Sequence, residues 1–241
     1  MSAPSAETVL ARLHALQSDD ELRKYRRYFK FGEGEYAHGD LFVGVRMGHV
    51  FALAKEFVLL PPTEIERLLD EDIHEARAAA VSIMAKQYAL KKTTPERRQE
   101  LFDLYLRRHD RINNWDLVDL GAWHVIGPHL VDGGRDLLYR LAKSASMWER
   151  RTAILATFSF IRRGQYNDTF AIAELLMADP EELIHKAAGW MLRSIGDRAA
   201  LAAFLDRHAA TMPRIMLRNA LEHFDGEARA HYLGLAKRGQ T

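Results

Sequence analysis

The sequence predicts an all-α fold, a superhelical array of antiparallel helix pairs with no sheet. Three observations carry this reading. Apolar residues recur at helical spacing through nearly every segment, and no stretch alternates apolar with polar residues between turn dipeptides. The segments are about 8–20 residues long with short links, the pattern of paired helices. From Ser144 onward helix pairs recur at about 35-residue intervals, which fits a HEAT-like or armadillo-type solenoid.

In chain order, periodic segments over 6–17 and 20–31 follow Ser5 and Ser18-Asp19. Gly32-Glu33-Gly34-Glu35-Tyr36-Ala37-His38-Gly39-Asp40 is the one long irregular piece. A helix is expected over 41–60, stopped by Pro61-Pro62. Thr63 reads as the cap of a short acidic helix, with Glu66 completing a capping box. An alanine-rich helix is expected over 72–90, and Thr94-Pro95 opens another to about 109. Asn113 or Asn114 caps a helix over 115–130, ended by Asp132-Gly133-Gly134. Helices over 135–143, 146–163, 168–177, 181–195, 197–209, 213–222 and 225–238 complete a single array spanning 1–241. Such an array has a concave surface, and periodicity alone names no substrate for it.

Composition narrows the function classes. With 241 residues and 48% hydrophobic content, the chain can bury a sizeable core. It has no cysteine, which excludes disulfides and thiolate metal sites. Met1–Thr8 lacks the basic and apolar regions of a signal peptide, and no apolar run is long enough to span a membrane. A soluble, cytoplasmic protein with no membrane partner is therefore expected. A net charge of +1 does not by itself suggest nucleic acid, but the distribution is uneven. Residues 21–30 hold five cations against Glu21 alone, and residues 64–75 hold six acids against Arg67 alone. Basic pairs return at Arg97-Arg98, Arg107-Arg108, Arg150-Arg151 and Arg162-Arg163. Segregation of this kind is expected to give one electropositive face, although any single pair is more commonly an ordinary solvated helix face.

Three constellations could carry chemistry. In Trp115-Asp116-Leu117-Val118-Asp119, Trp115 and Asp119 lie one turn apart on one helix face. Asp116 suits the first turn of a helix, whereas Asp119 lies a turn deeper between Val118 and Leu120. In Trp148-Glu149-Arg150-Arg151, after Ser144 and Ser146 as caps, Trp148 and Arg151 nearly share a face. In the segment 186–193, Lys186, Trp190 and Arg193 form an i, i+4, i+7 stripe. A tryptophan in an apolar helix is more often core than a ligand platform, a lone arginine is usually surface, and a half-buried aspartate often caps a neighbour. Both readings of Asp119 stay open on these residues. Recurrence on three successive repeat units, whose equivalent helices line one wall of a solenoid, favours the functional one. Metal chemistry has little support, because His124 and His129 are five apart, and no phosphate loop or nucleophile elbow is present. Gly32–Gly39 follows a helix and so does not read as a nucleotide site.

Trp115-Asp116-Leu117-Val118-Asp119, Trp148-x-x-Arg151-x-Ala153-Ile154 and Lys186-Ala187-x-Gly189-Trp190-x-Leu192-Arg193 together resemble the ordered motifs of the AlkD family of bacterial alkylpurine DNA glycosylases. Gly32-Glu33-Gly34-Glu35-Tyr36 and Gly39-Asp40-x-Phe42-x-Gly44-Val45 are similar to a stretch common in that family, and Tyr232-Leu233 with Lys237 matches its end less specifically. The resemblance covers residues from about 25 to 193. It implies a HEAT-like solenoid whose concave face holds duplex DNA and which hydrolyses the N-glycosidic bond of positively charged N3- and N7-alkylated purines. Asp119 matches the catalytic aspartate, Trp115 and Trp190 the aromatics flanking the lesion, and Arg151 an arginine on the DNA backbone. Tyr25 matches an N-terminal tyrosine near the lesion over a short segment. Trp148, Lys186 and Arg193 join these as candidate DNA contacts. The implied enzyme is a monofunctional, monomeric glycosylase that needs neither metal nor cofactor and acts on double-stranded DNA containing alkylated purines. Two alternatives stand beside it: a non-catalytic DNA-binding paralogue of the same fold, and a protein-binding helical scaffold.

Overall fold

A computed structural model describes residues 4–238, so Met1–Ala3, and with them part of the N-terminal signal-peptide reading, lie outside the described residues, as does the side chain of Lys237. The chain is all-α. In order, the α-helices are α1 (Ala6–His14), α2 (Asp19–Tyr25), α3 (Met47–Glu56), α4 (Pro62–Asp70), α5 (His74–Ala89), α6 (Pro95–Arg107), α7 (Trp115–Gly121) and α8 (Gly127–Leu130). They continue with α9 (Asp136–Leu141), α10 (Met147–Ala156), α11 (Phe158–Ile161), α12 (Asn167–Leu175), α13 (Glu182–Arg193), α14 (Arg198–His208), α15 (Arg214–Ala220) and α16 (Gly226–Arg238). Among the described residues the only β-pairing is an isolated bridge between Leu41 and Ile73. Among the described residues no helix is long and apolar enough to cross a membrane.

The chain divides between His129 and Leu130 into two compact units. In the first, α5 is central. It packs against α3, α4, α6 and α7, and Ala76, Ala78, Ala79 and Ala80 are fully buried along it. Small side chains let the neighbouring helices approach closely, and burial along most of its length explains why this helix has no broad polar face. In the second unit α13 packs against α10, α12 and α15, with the closest approach at Gly189. Packing of helices on their chain neighbours within each unit is compatible with the solenoid expected from the sequence.

Several expected helices end short, α2 most of all, stopping at Tyr25 where the periodicity runs to 31, and four further departures stand beside these. The first is Leu41–Arg46, which is extended and not helical. The backbone N–H groups of Val43, Gly44 and Val45 donate to the buried carboxylate of Glu75 at 3.2, 2.8 and 3.1 Å, so they cannot serve a helix ladder. Gly44 adopts φ +76, and a Cβ there would lie 2.2 Å from the Ser18 carbonyl, so glycine is required on both counts. The partner of this segment is some thirty residues away in sequence, beyond the reach of periodicity. The second is Thr63, which is not a cap. Pro61 is the N-cap of α4 and Pro62 its first residue, because the fixed proline φ already suits that position.

The third departure breaks the segment 146–163 at Thr157, whose hydroxyl donates to the Ile154 carbonyl at 2.7 Å and competes with the helix ladder. The fourth lies within 115–130. Asn114 is the N-cap, accepting from the Trp115 N–H at 2.9 Å, but α7 gives way to a π-turn at Ala122–Ile126 before α8. Pro128 supplies the reason: it has no N–H for the His124 carbonyl, and its ring would collide with that carbonyl in a regular α-helix. Widening the turn, with Gly127 N–H reaching Ala122, accommodates both constraints.

Candidate functional site

The first unit holds a cleft of about 340 Å³ lined by Tyr25, Tyr28, Phe29, Met47, Phe51, Trp115, Asp116, Asp119 and Leu120. Trp115, Asp119 and Tyr25, expected on sequence grounds to be functional, share this one cleft. The helix α7 presents Trp115 and Asp119 one turn apart, as the i, i+4 spacing requires. Phe29 stacks on the Trp115 ring at 5.3 Å between centroids, so the indole offers the cleft its other face or its edge. Behind them Phe29, Ala37 and Phe42 form a buried cluster to which Leu22, Tyr25, Phe31 and Tyr36 add.

Tyr25 enters the cleft with its ring and not its hydroxyl, which donates to the Val45 carbonyl. Burial raises its pKa well above the ordinary phenol value, and the Glu75 and Asp116 carboxylates push the same way. The extended segment Leu41–Arg46 therefore ties three features together: Glu75 at its N–H groups, Tyr25 at its Val45 carbonyl, and Phe42 in the aromatic cluster.

Asp116 departs from its simple helix-terminus reading. It is nearly buried and its Oδ2 lies 2.8 Å from His74 Nε2. His74 is fully buried and its Nδ1 lies 3.6 Å from Asp40, too long for a hydrogen bond but close enough for charge attraction. Asp40 also takes Arg77 Nη2 at 2.6 Å and Asn114 Nδ2 at 3.0 Å. Burial works against a charged His74, but the Asp116 carboxylate and then Asp40 overcome it and raise its pKa to about 9. At neutral pH this is a protonated imidazole between two carboxylates. Burial also opposes ionised Asp40, and His74 with Arg77 still holds its pKa below the ordinary value. The network reaches from the glycine-rich segment, through α5, to the first turn of α7, and so fixes the helix that carries Trp115 and Asp119.

The second unit holds a smaller cleft, about 250 Å³, lined by Arg151, Lys186, Ala187, Trp190, Arg193 and Asn219. The expected Lys186–Trp190–Arg193 stripe on α13 is thus real, and α10 adds Arg151 beside it. Arg151 is almost wholly buried and its Nη1 donates to the Leu183 carbonyl at 2.9 Å, so part of the guanidinium is fixed to α13. Lys186 pairs with Glu182 at 2.5 Å and Arg193 with Glu222. The Lys186 pair is exposed, of the kind that a phosphate can replace at little cost. Trp148 is half-buried on α10 and does not line either cleft.

The basic pairs noted in the sequence are largely engaged. Arg107 and Arg108 bind Glu66, Arg108 also binds Asp70, and Arg111 reaches Asp72. Arg150 is held by Asp179, Arg163 by Asp132, and Arg97 by Glu100, while Arg98 donates to the Tyr88 and Leu90 carbonyls. The acidic run at 64–75 is therefore less unbalanced than its letters suggest, because side chains from α6 and the turn after it pair with three of its six acids and Arg67 with a fourth. Charge counted along the sequence misses this, since the partners from α6 and the turn after it lie about forty residues away.

Residues 9–224 match the family model described as DNA alkylation repair enzyme. The chain belongs to this family. No curated protein matches it. The matched span of this DNA alkylation repair family member includes the lining of both clefts and the Asp40–His74–Asp116 network. Sequence reading of the same span missed Tyr28, Phe29, Met47, Phe51 and Leu120 as cleft residues. The Tyr25-x-x-Tyr28-Phe29 and Met47-x-x-x-Phe51 spacings carried a signal, since aromatic and Met pairs at i, i+3 and i+4 share a face. Tyr28 is 67% exposed and Phe51 is 38% exposed, so both present apolar ring surface to the cleft.

Proposed function

We propose that this protein is a monofunctional DNA glycosylase that removes positively charged N3- and N7-alkylated purines from duplex DNA, acting as a monomer. One observation carries the proposal: a carboxylate and an indole one helical turn apart in an open, aromatic-lined cleft, in a member of a DNA alkylation repair family. An N3- or N7-alkylpurine already bears the charge that makes it a leaving group, so no general acid is required. The costly species is the oxocarbenium-like sugar.

In this scheme the C1′–N9 bond breaks and its electron pair neutralises the departing base. Asp119, held near C1′, stabilises the cationic sugar and takes a proton from the water whose oxygen bonds to C1′. Trp115 contributes attraction between its indole and the cationic nucleoside, worth about 0.5–2 kcal/mol. Of the two cleft carboxylates Asp119 is the more exposed and lies on the Trp115 face, whereas Asp116 is nearly buried, which supports assigning the chemistry to Asp119. Arg151, Lys186 and Arg193 are assigned to holding the DNA backbone, where they set register without reading sequence, and Trp190 beside them to the aromatic contact with the DNA that the resemblance implies.

Release of N7-methylguanine and N3-methyladenine from methylated duplex DNA tests the scheme. Wild type releases both bases, and Asp119→Asn is slower by about a hundredfold or more, as for loss of one preorganised electrostatic group. Equal release by the two proteins removes Asp119 from the chemistry. Salt-dependent DNA binding with no base release by wild type would instead identify a non-catalytic paralogue, and absence of DNA binding would point to a protein-binding scaffold.

A further inference from the structure

A second depression in the first unit, about 290 Å³, adjoins the Trp115–Asp119 cleft and shares Phe51 and Leu120 with it. Its other walls are Ser82, Ala85, Lys86 and Ala89 of α5 and His124 of the π-turn. On α5 these residues fall at i, i+3, i+4 and i+7, so a single stripe faces the depression, with small side chains framing one hydroxyl and one ammonium. Three features distinguish this stripe from an ordinary solvated face.

Ser82 is only 2% exposed, and its Oγ has no hydrogen-bond partner. Buried hydroxyls are normally satisfied, so an orphan aimed at a depression marks the place of an absent acceptor or donor. Lys86 makes no ion pair among the described residues, whereas the arginines of α6 and the following turn are engaged by carboxylates. Partial burial, and then the Lys86 ammonium across the same depression, lower the His124 imidazole pKa, so at neutral pH it is a neutral hydrogen-bonding ring beside a cation. The π-turn adds the third feature. An extra residue in the turn redirects the side chains that follow Asp119, and it places His124 on the rim of this depression and not along the regular α7 face.

We infer that Lys86, Ser82 and His124 form an anion subsite that holds the backbone phosphate flanking the nucleotide whose sugar faces Asp119. This rests on reading the Trp115–Asp119 cleft as the lesion site. An ammonium, a hydroxyl donor and an imidazole suit a phosphodiester, whose non-bridging oxygens accept several hydrogen bonds and carry one charge. The connection through Phe51 and Leu120 makes the two occupants neighbours on one strand. A phosphate held here would fix the sugar against Asp119 without contacting a base, so it serves every lesion equally.

The test uses duplexes containing a single tetrahydrofuran abasic analogue, in which the phosphates on either side are replaced one at a time by neutral methylphosphonate. Dissociation constants are measured for wild type, Lys86→Ala and Lys86→Arg across a salt series, alongside release of N7-methylguanine from methylated duplex DNA. Lys86→Ala is expected to bind the unmodified duplex about tenfold more weakly, with its salt slope reduced by about one, as for loss of one phosphate contact. A methylphosphonate at one flanking position should weaken wild type but have no further effect on Lys86→Ala, and Lys86→Arg should retain most of the coupling. Additive effects at every flanking position overturn the subsite. If wild type still excises N7-methylguanine in that case, the glycosylase reading stands without it. Coupling at one position in a wild-type protein that excises nothing keeps the subsite and overturns the glycosylase reading.

Discussion

His74 is the residue whose environment has the clearest thermodynamic consequence. Its folded pKa of about 9 lies above its ordinary 6.5, so its contribution to stability is fully present below about 6.5 and is lost as pH rises through about 9. Asp40 acts at the other end: its lowered pKa means that its contribution is present above the ordinary 3.8 and is lost as pH falls below that value. Urea denaturation is therefore expected to give a midpoint that declines between pH about 6.5 and about 9 in wild type, and a flat profile over that window in His74→Phe. Asp116→Ala removes the group that chiefly holds His74 charged, and leaves a buried imidazole beside a void without its main partner. A loss of about 3–5 kcal/mol is expected at neutral pH, measured in the same way. Asp116→Asn should lose less, because its amide still meets the ring nitrogen.

At the scale of elements, glycine decides the contact between α13 and α15. In α13, a Cβ on Gly189 would lie 2.5 Å from the Met216 carbonyl oxygen and 2.7 Å from Asn219 Cβ, so α13 and α15 meet backbone to backbone. Met216 O belongs to a helix and cannot move aside alone. Gly189→Ala is expected to cost about 1–3 kcal/mol, and to perturb Asn219 and Trp190 in the second cleft. Gly48 in α3 is the control: it is exposed, nothing lies within 4 Å of its Cβ position, and Gly48→Ala should stabilise by about 0.5 kcal/mol. Thermal denaturation of the two variants distinguishes them by sign. The π-turn before Pro128 belongs to the same scale, because a single missing N–H changes where His124 points.

For the molecule as a whole, a net charge of +1 gives only a weak long-range field, so DNA binding must depend on local cations left unneutralised. In the basic run at 21–30, Arg23 is engaged by Asp20 and Lys24 by Glu21, but Arg26, Arg27 and Lys30 are exposed and make no ion pair among the described residues. They flank Tyr25, Tyr28 and Phe29 of the first cleft. Replacing all three by Ala is expected to weaken binding to any duplex sequence alike and to lower the salt slope by about one for each that holds a phosphate, read by fluorescence anisotropy over a salt series. A loss confined to particular sequences would contradict this backbone role.

Much was legible in the sequence. Helical periodicity determined the all-α class and most helix positions, and i, i+4 spacing determined that Trp115 and Asp119, or Lys186 and Trp190, share a face. These are properties of a few neighbouring residues, and local geometry suffices for them. What only the tertiary structure decided depends on partners far apart in the chain. Leu41–Arg46 is extended because Glu75 takes its N–H groups, and half of the acidic run at 64–75 is paired because Arg107, Arg108 and Arg111 reach Glu66, Asp70 and Asp72. Asp116 looked like a helix-terminus residue and became a buried ion-pair partner because the fold brings His74 to it. A carboxylate carries the same letter whether it meets water, a backbone N–H or a buried imidazole. Only packing settles which of these it meets, and with it the charge that it retains.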